Sequence, residues 1–272
     1  MSDQNLPIAL FDSGVGGLTV LKAVRRLLPA EDILYLGDTA RLPYGAKSPE
    51  TVIRYTLQCA ARLVAMKVKC LVVACNTMSA VGLPALRASY PALPVIGVVE
   101  PGAAAACRAS VSGRIAVIAT ESTVRGGAYA AAIRRFRPDA EVRSVSCPLF
   151  VPLVEEGWFD GPVVEGIASH YLTPLFSSSP APDCLVLGCT HYPLLQNTIR
   201  KVIGDAPCIV DSADTTAAAL EAALGKAGIA APSGRVGTTR FFTTDDALRF
   251  ARVGSAFLGR PVSLDAVAEI DL

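Results

Sequence analysis

Two stretches of this 272-residue chain nearly repeat each other: CLVVACN at 70–76 and CLVLGCT at 184–190. Each closes an apolar run on a cysteine followed by a small polar residue. A pair of metal-binding thiols is the first chemistry to test. Cys70 and Cys75 are separated by an odd number of positions, as are Cys184 and Cys189. Side chains alternate along a strand, so the two sulfurs of one phrase point to opposite faces and do not converge on one ion. The tight C-x2-C turn of a zinc ribbon occurs nowhere. What stands out is the last cysteine of each phrase. Cys75 and Cys189 fall where a buried strand ends and a turn leads into a helix, and parallel sheets bind ligands at that end of their strands. A thiol at a helix N-terminus also gains thiolate character from the free N–H groups and the dipole. Cys59, Cys70, Cys107, Cys147, Cys184 and Cys208 read as small core residues.

Other polar residues collect at neighbouring strand ends. DSGVGG (12–17) follows the first apolar run and departs from the dinucleotide fingerprint, with Thr19 where its third glycine belongs. It reads either as a glycine-rich turn whose N–H groups suit a carboxylate, or as a tight strand–helix turn with Asp12 as cap. In the loop LGDTARLPYG (36–45), Asp38 and Tyr44 are candidates for a pocket wall and Gly45 permits close backbone approach. Asp38 as a loop cap and Tyr44 as packing are the alternatives. His191, two residues after Cys189, is the candidate for acid–base work, whereas His170 lies in a helical pattern and reads as a surface or packing residue. Glu155 either faces a cleft or opens a solvated helix.

The elements that must hold these groups are short Val/Ile/Leu runs at 8–11, 33–36, 70–75, 95–99, 115–120, 184–189 and 208–210. They lack polar alternation, and helical patterns lie between them. One such helix opens on Ser48-Pro49-Glu50, an N-cap, a first-turn proline and a first-turn acid. Strands of this kind separated by helices mean parallel sheets covered on both faces, an α/β protein. The echo of IALFDSG (8–14) in IAVIATES (115–122), and of the first cysteine phrase in the second, implies two similar domains. The expected division is 1–98 with 210–272, contributing Cys75, and 99–209, contributing Cys189. Apolar residues make up 51% of the chain and the net charge is +1, which gives no reason to expect nucleic acid or an anionic membrane surface as partner. No apolar run spans a bilayer and no leader pattern opens the sequence, so a cytoplasmic protein with reduced thiols is expected.

Taken in order, DSGVGGLTV, LPYG, ACNT and GCTHYP resemble the bacterial glutamate racemases of the cofactor-independent aspartate/glutamate racemase superfamily. The likeness runs from residue 8 to the helix after Pro193. Met78 departs from it, standing where a smaller residue is expected. The resemblance implies two similar α/β domains with the active site in the cleft between them, and interconversion of L- and D-glutamate that supplies the D-isomer for peptidoglycan. It implies that Cys75 and Cys189 are the two catalytic bases on opposite faces of the α-carbon. Asp12 then assists Cys75, His191 assists Cys189 and Glu155 is a supporting carboxylate. Substrate contacts fall on Asp12, Ser13, Asp38, Tyr44, Gly45, Asn76, Thr77, Thr120, Thr123, Thr190 and His191. No cofactor and no metal are called for, and a homodimer is expected.

Three rivals stand beside this reading. An aspartate racemase would share the superfamily features, although the histidine of GCTHYP favours glutamate. A small-anion binding protein would use the same cleft but leave the two strand-end cysteines without a purpose. A thiol-based metal or redox protein runs against the strand-face argument.

Overall fold

The structure is a computed structural model and describes residues 3–272. Among the described residues there are ten strands: β1 Ile8–Asp12, β2 Ile33–Gly37, β3 Cys70–Val73, β4 Val95–Gly97, β5 Arg114–Ala119, β6 Glu141–Ser146, β7 Cys184–Gly188, β8 Cys208–Asp211, β9 Thr239–Thr243 and β10 Val267–Glu269. They form two sheets, one in the order β10-β9-β2-β1-β3-β4 and the other β6-β5-β7-β8. Every pairing is parallel, as the uninterrupted apolar runs require. The chain builds most of the first sheet, crosses to the second, and returns to add β9 and β10. The second sheet keeps β8, so the expected boundary between residues 209 and 210 falls inside that strand. The return crossing begins with the helix Ser212–Ala227, which packs on the helix Leu18–Leu27.

Alternation along the strands sorts their side chains into three apolar layers. Ala9, Phe11, Leu71, Val73 and Cys75 face an outer layer of the first sheet. Ile115, Val117, Cys184 and Val186 face an outer layer of the second. Ile8, Leu10, Cys70, Val72, Ile118, Leu187 and Cys189 join one core that spans both sheets. Cys70 and Cys75 therefore lie in different layers, as do Cys184 and Cys189, which is the geometry their odd spacing demands. Each fully buried branched side chain contributes about 1.5–3 kcal/mol, and the strands of this core are buried almost end to end.

The helix after LPYG starts as its sequence dictates: Ser48 caps it by accepting the N–H of Thr51, and Pro49 occupies the first turn. Three strands carry no apolar run and are not legible in the sequence. β6 (EVRSVS) is an exposed or half-exposed edge strand, β9 (TRFFT) opens on polar residues, and β10 (VAE) is a short edge. No helix among the described residues is long and apolar enough to cross a membrane.

Candidate active site

Cys75 and Cys189 line one cavity of about 510 Å³ between the two sheets. Cys75 is not the last strand residue. β3 stops at Val73, and Cys75 caps the helix Asn76–Ser89 from a position that is 5% exposed. Its sulfur lies 3.5 Å from Ser13 Oγ. The helix end does not make this thiol acidic. Burial pushes it up to about 12, and the nearby Asp12 carboxylate adds to the effect. The Met78 N–H, the helix's own contribution, opposes this without reversing it. Met78 itself is fully buried in the outer layer of the first sheet, so its bulk is spent on packing.

Asp12 ends β1 beneath the glycine turn. It is fully buried, and its Oδ2 accepts the Gly14 N–H at 2.9 Å while Oδ1 has no partner among the described residues. Burial raises its carboxyl, with the charge of His191 pulling the other way. Asp12 lies behind Ser13 and is not on the cavity wall, so it reaches the cavity only through its neighbours.

On the opposite side, Cys189 follows β7 and precedes the turn Thr190-His191. A chain of contacts leads away from its sulfur: to His191 Nδ1 at 3.9 Å, from His191 Nε2 to Glu155 Oε1 at 3.2 Å, and from Glu155 Oε2 to the Arg249 guanidinium at 3.1 Å. Burial alone would favour neutral imidazole. The hydrogen bonds and electrostatic influence of Cys189 and Glu155 outweigh it and raise His191 to about 10. Glu155 ends the helix Phe150–Glu155 and lines the cavity. Burial would raise its carboxyl, yet the partnership with His191 and Arg249 holds it below the usual range.

The rest of the wall supplies neutral donors. Asn76 is 2% exposed; its Oδ1 accepts the Tyr129 hydroxyl at 2.6 Å, which leaves its buried Nδ2 with no partner among the described residues. An unpaired buried amide beside a cavity is a donor held ready for a ligand acceptor. Thr77 from the first sheet meets Thr120 and Thr123 from the second in a triangle of hydroxyls 2.9–3.3 Å apart. Thr120 and Thr77 face the cavity, whereas Thr123 stands behind them. Ser13, Tyr44, Gly45 and Thr190 also line it.

Asp38 corrects the sequence expectation. It is fully buried and off the cavity wall, where it accepts from the Tyr44 hydroxyl, from Arg41 Nε at 2.6 Å and from Thr244 at 3.0 Å. It fixes Tyr44, which is the residue on the wall. His170 is exposed on the helix Pro162–Phe176, its ring against Tyr171. Sequence reasoning missed Arg249 and the apolar wall of Leu42, Pro43, Val151 and Pro152. No local motif marks Arg249, because only the return of the chain to the first sheet brings its helix, Ala247–Leu258, to the cavity.

Two parallel sheets facing each other over a cavity of mixed polar and apolar lining, with one thiol supplied from beyond a strand of each, define the class: an α/β protein with a cavity between its two sheets. A sequence model described as Asp/Glu/Hydantoin racemase matches residues 16–223, and the chain belongs to that family of isomerases. Among curated relatives, the glutamate racemase of Geobacter metallireducens is 51% identical over 93% of this chain and 92% of its own. Among solved structures, glutamate racemase RacE1 from Bacillus anthracis is 38% identical with a TM-score of 0.93, covering 99% of this chain and 98% of its own. Glutamate racemase from Francisella tularensis, solved in complex with D-glutamate, is 35% identical with a TM-score of 0.91, covering 98% of each chain.

Proposed function

We propose that this chain interconverts L- and D-glutamate by two-base proton transfer between Cys75 and Cys189. One observation carries the reading: two thiols from different sheets share a cavity with an unpartnered buried amide. The relatives named above supply the substrate, since they are glutamate racemases and one was solved with D-glutamate bound.

Inverting a stereocentre by proton transfer needs removal on one face and return on the other. One sulfur, as thiolate, takes the α-proton; the C–H electron pair passes into the carboxylate; the opposite thiol gives its proton to the other face and is left as thiolate. An α-proton is far less acidic than a thiol, and each unit of mismatch adds about 1.4 kcal/mol. The site therefore stabilises the developing charge on the α-carboxylate. Asn76 Nδ2, the hydroxyls of Ser13, Thr77 and Thr190, and the N–H groups at the start of helix Asn76–Ser89 serve as donors. The two thiols meet different surroundings: burial and Asp12 keep Cys75 protonated, while Cys189 lies 3.9 Å from the His191 ring. The apolar mouth of Leu42, Pro43, Val151 and Pro152 limits the water that reaches the carbanion.

The same reading makes the two expected divisions the catalytic halves, with the boundary moved past β8 so that residues 210 and 211 stay with the second sheet. It gives the enzyme the role of supplying D-glutamate for peptidoglycan in the cytoplasm, as a homodimer that needs no cofactor. Chiral analysis of glutamate after incubation in D2O tests it. Racemisation with incorporation of deuterium at the α-carbon is expected from the pure protein, and Cys75→Ala or Cys189→Ala abolishes net racemisation. Either variant turning over both enantiomers at the wild-type rate removes the two-base assignment.

A further inference from the structure

The chain of contacts from Cys189 does not end at Glu155. Arg249 lies on a helix that belongs with the first sheet, and it reaches across the mouth of the cavity to a carboxylate of the second half. That carboxylate uses its two oxygens on two different partners: Oε1 meets His191 and Oε2 meets Arg249. Glu155 is thus gripped from both sides of the cleft, with its side chain only 14% exposed. We infer that Arg249 is a positioning residue, which holds Glu155 in place and through it sets the ring of His191 beside Cys189. The inference rests on the racemase reading above.

Three features of the surroundings favour this role. The same helix packs Phe257 edge-on against the His191 ring at 5.0 Å between centroids, so one element of the first half contacts both members of the pair. Arg249 and Glu155 line both the main cavity and a smaller recess of about 100 Å³, which Asp245 and Asp246 also line. The charged and titratable groups facing His191 are Cys189 on its own turn, Glu155 from the helix Phe150–Glu155 and Asp12 from β1. Those facing Glu155 are His191 and Arg249. Arg249 is therefore the cation that holds Glu155 ionised from outside the catalytic cluster. The Arg249 side chain is 44% exposed, so replacing it does not disturb the core.

A double-mutant cycle in glutamate racemisation, with kcat/KM measured across pH, tests this. Arg249→Gln lowers kcat/KM roughly five- to tenfold, acting mainly on kcat. It also moves the acidic limb to higher pH, because Glu155 loses the cation that depresses it. Arg249→Lys keeps the charge and restores kcat/KM to within about threefold of wild type. In a Glu155→Gln background the Arg249→Gln change has no further effect, since the residue it acts through is gone. Losses that add in the double variant, an unmoved acidic limb, or an effect confined to KM would each overturn the inference, the last by making Arg249 a direct substrate contact. Thermal melting of each variant separates these outcomes from unfolding. A wild-type protein that does not racemise glutamate refutes the preceding section instead.

Discussion

Gly16 in the turn after β1 lies directly against His191 of the opposite half: a Cβ on Gly16 would stand 2.6 Å from the imidazole Cε1 and Nδ1, and would also overlap the Thr190 hydroxyl. The first half thus touches His191 of the second through bare backbone. Thr19, in the first turn of the helix Leu18–Leu27, reaches the Thr190 carbonyl at 3.5 Å. Replacing Gly16 with Ala forces the turn and the His191 ring apart. A displacement of this size costs on the order of 100-fold in kcat/KM, while the circular dichroism of the folded protein stays unchanged. Wild-type activity in Gly16→Ala would mean that the ring is free to move.

The protonation of His191 gives a signed dependence on pH. Burial opposes its charge, but Cys189 and Glu155 raise it from 6.5 to about 10. The folded value lies above the unfolded one, so the stabilisation is fully present below about pH 6.5 and is lost as pH rises through about 10. Melting temperatures of the wild type and His191→Gln, compared from pH 6 to 10.5, converge at the alkaline end. A gap that stays constant over that range would show the imidazole to be neutral throughout.

Asp12 and Cys75 make an opposed pair of expectations. The Asp12 carboxylate helps push the Cys75 thiol up to about 12. Asp12→Asn therefore makes the thiol more acidic, and alkylation of Cys75 by iodoacetamide at pH 8 speeds up several-fold in a Cys189→Ala background. On the two-base proposal, racemisation by the single Asp12→Asn variant falls despite the better thiolate, because Cys75 then holds its proton less tightly. Unchanged alkylation would mean that Asp12 is already protonated beside Cys75.

Far from the cavity, Lys69 and Glu31 form an ion pair at 2.5 Å, with side chains 0% and 2% exposed. Lys69 also donates to the carbonyls of Gln4 and Ile229 at 2.9 Å, and Glu31 Oε1 accepts the Ala231 N–H at 2.7 Å. The pair ties the strand β3 to the segment that precedes β9. Removing one partner strands a buried charge, so Lys69→Met costs about 3–5 kcal/mol in urea unfolding. The kcat of the folded variant is unaffected. A loss below about 1 kcal/mol would indicate that the ion pair contributes little to holding the fold.

Much of this molecule was legible in its letters, for identifiable reasons. Uninterrupted apolar runs mark strands covered on both faces, and the seven such runs became β1 to β5, β7 and β8. β6 and β10 were lost because an edge strand exposes one side to water and needs no apolar run. Odd spacing in the letters alone separates Cys75 from Cys70 and Cys189 from Cys184 by face. It stops at the question of what a sulfur meets: helix-end chemistry suggested an acidic thiol at Cys75, and burial beside Asp12 reversed the sign. Asp38 and Tyr44 looked alike as pocket candidates, yet only the tyrosine reaches the wall while the aspartate anchors it. Arg249 had no motif at all, since its place depends on pairings between residues more than 200 positions apart, such as Ile33 with Thr239.

That late pairing has a consequence for the order in which the protein comes to exist. While a ribosome is still translating the middle of the message, β1, β2, β3 and β4 can assemble, but the outer edge of β2 stays bare until residues 239–243 emerge to cover it. An uncovered parallel edge invites pairing with other nascent chains. The newborn polypeptide thus carries its greatest aggregation hazard through most of its synthesis, and loses it only when the stretch that also delivers Arg249 arrives.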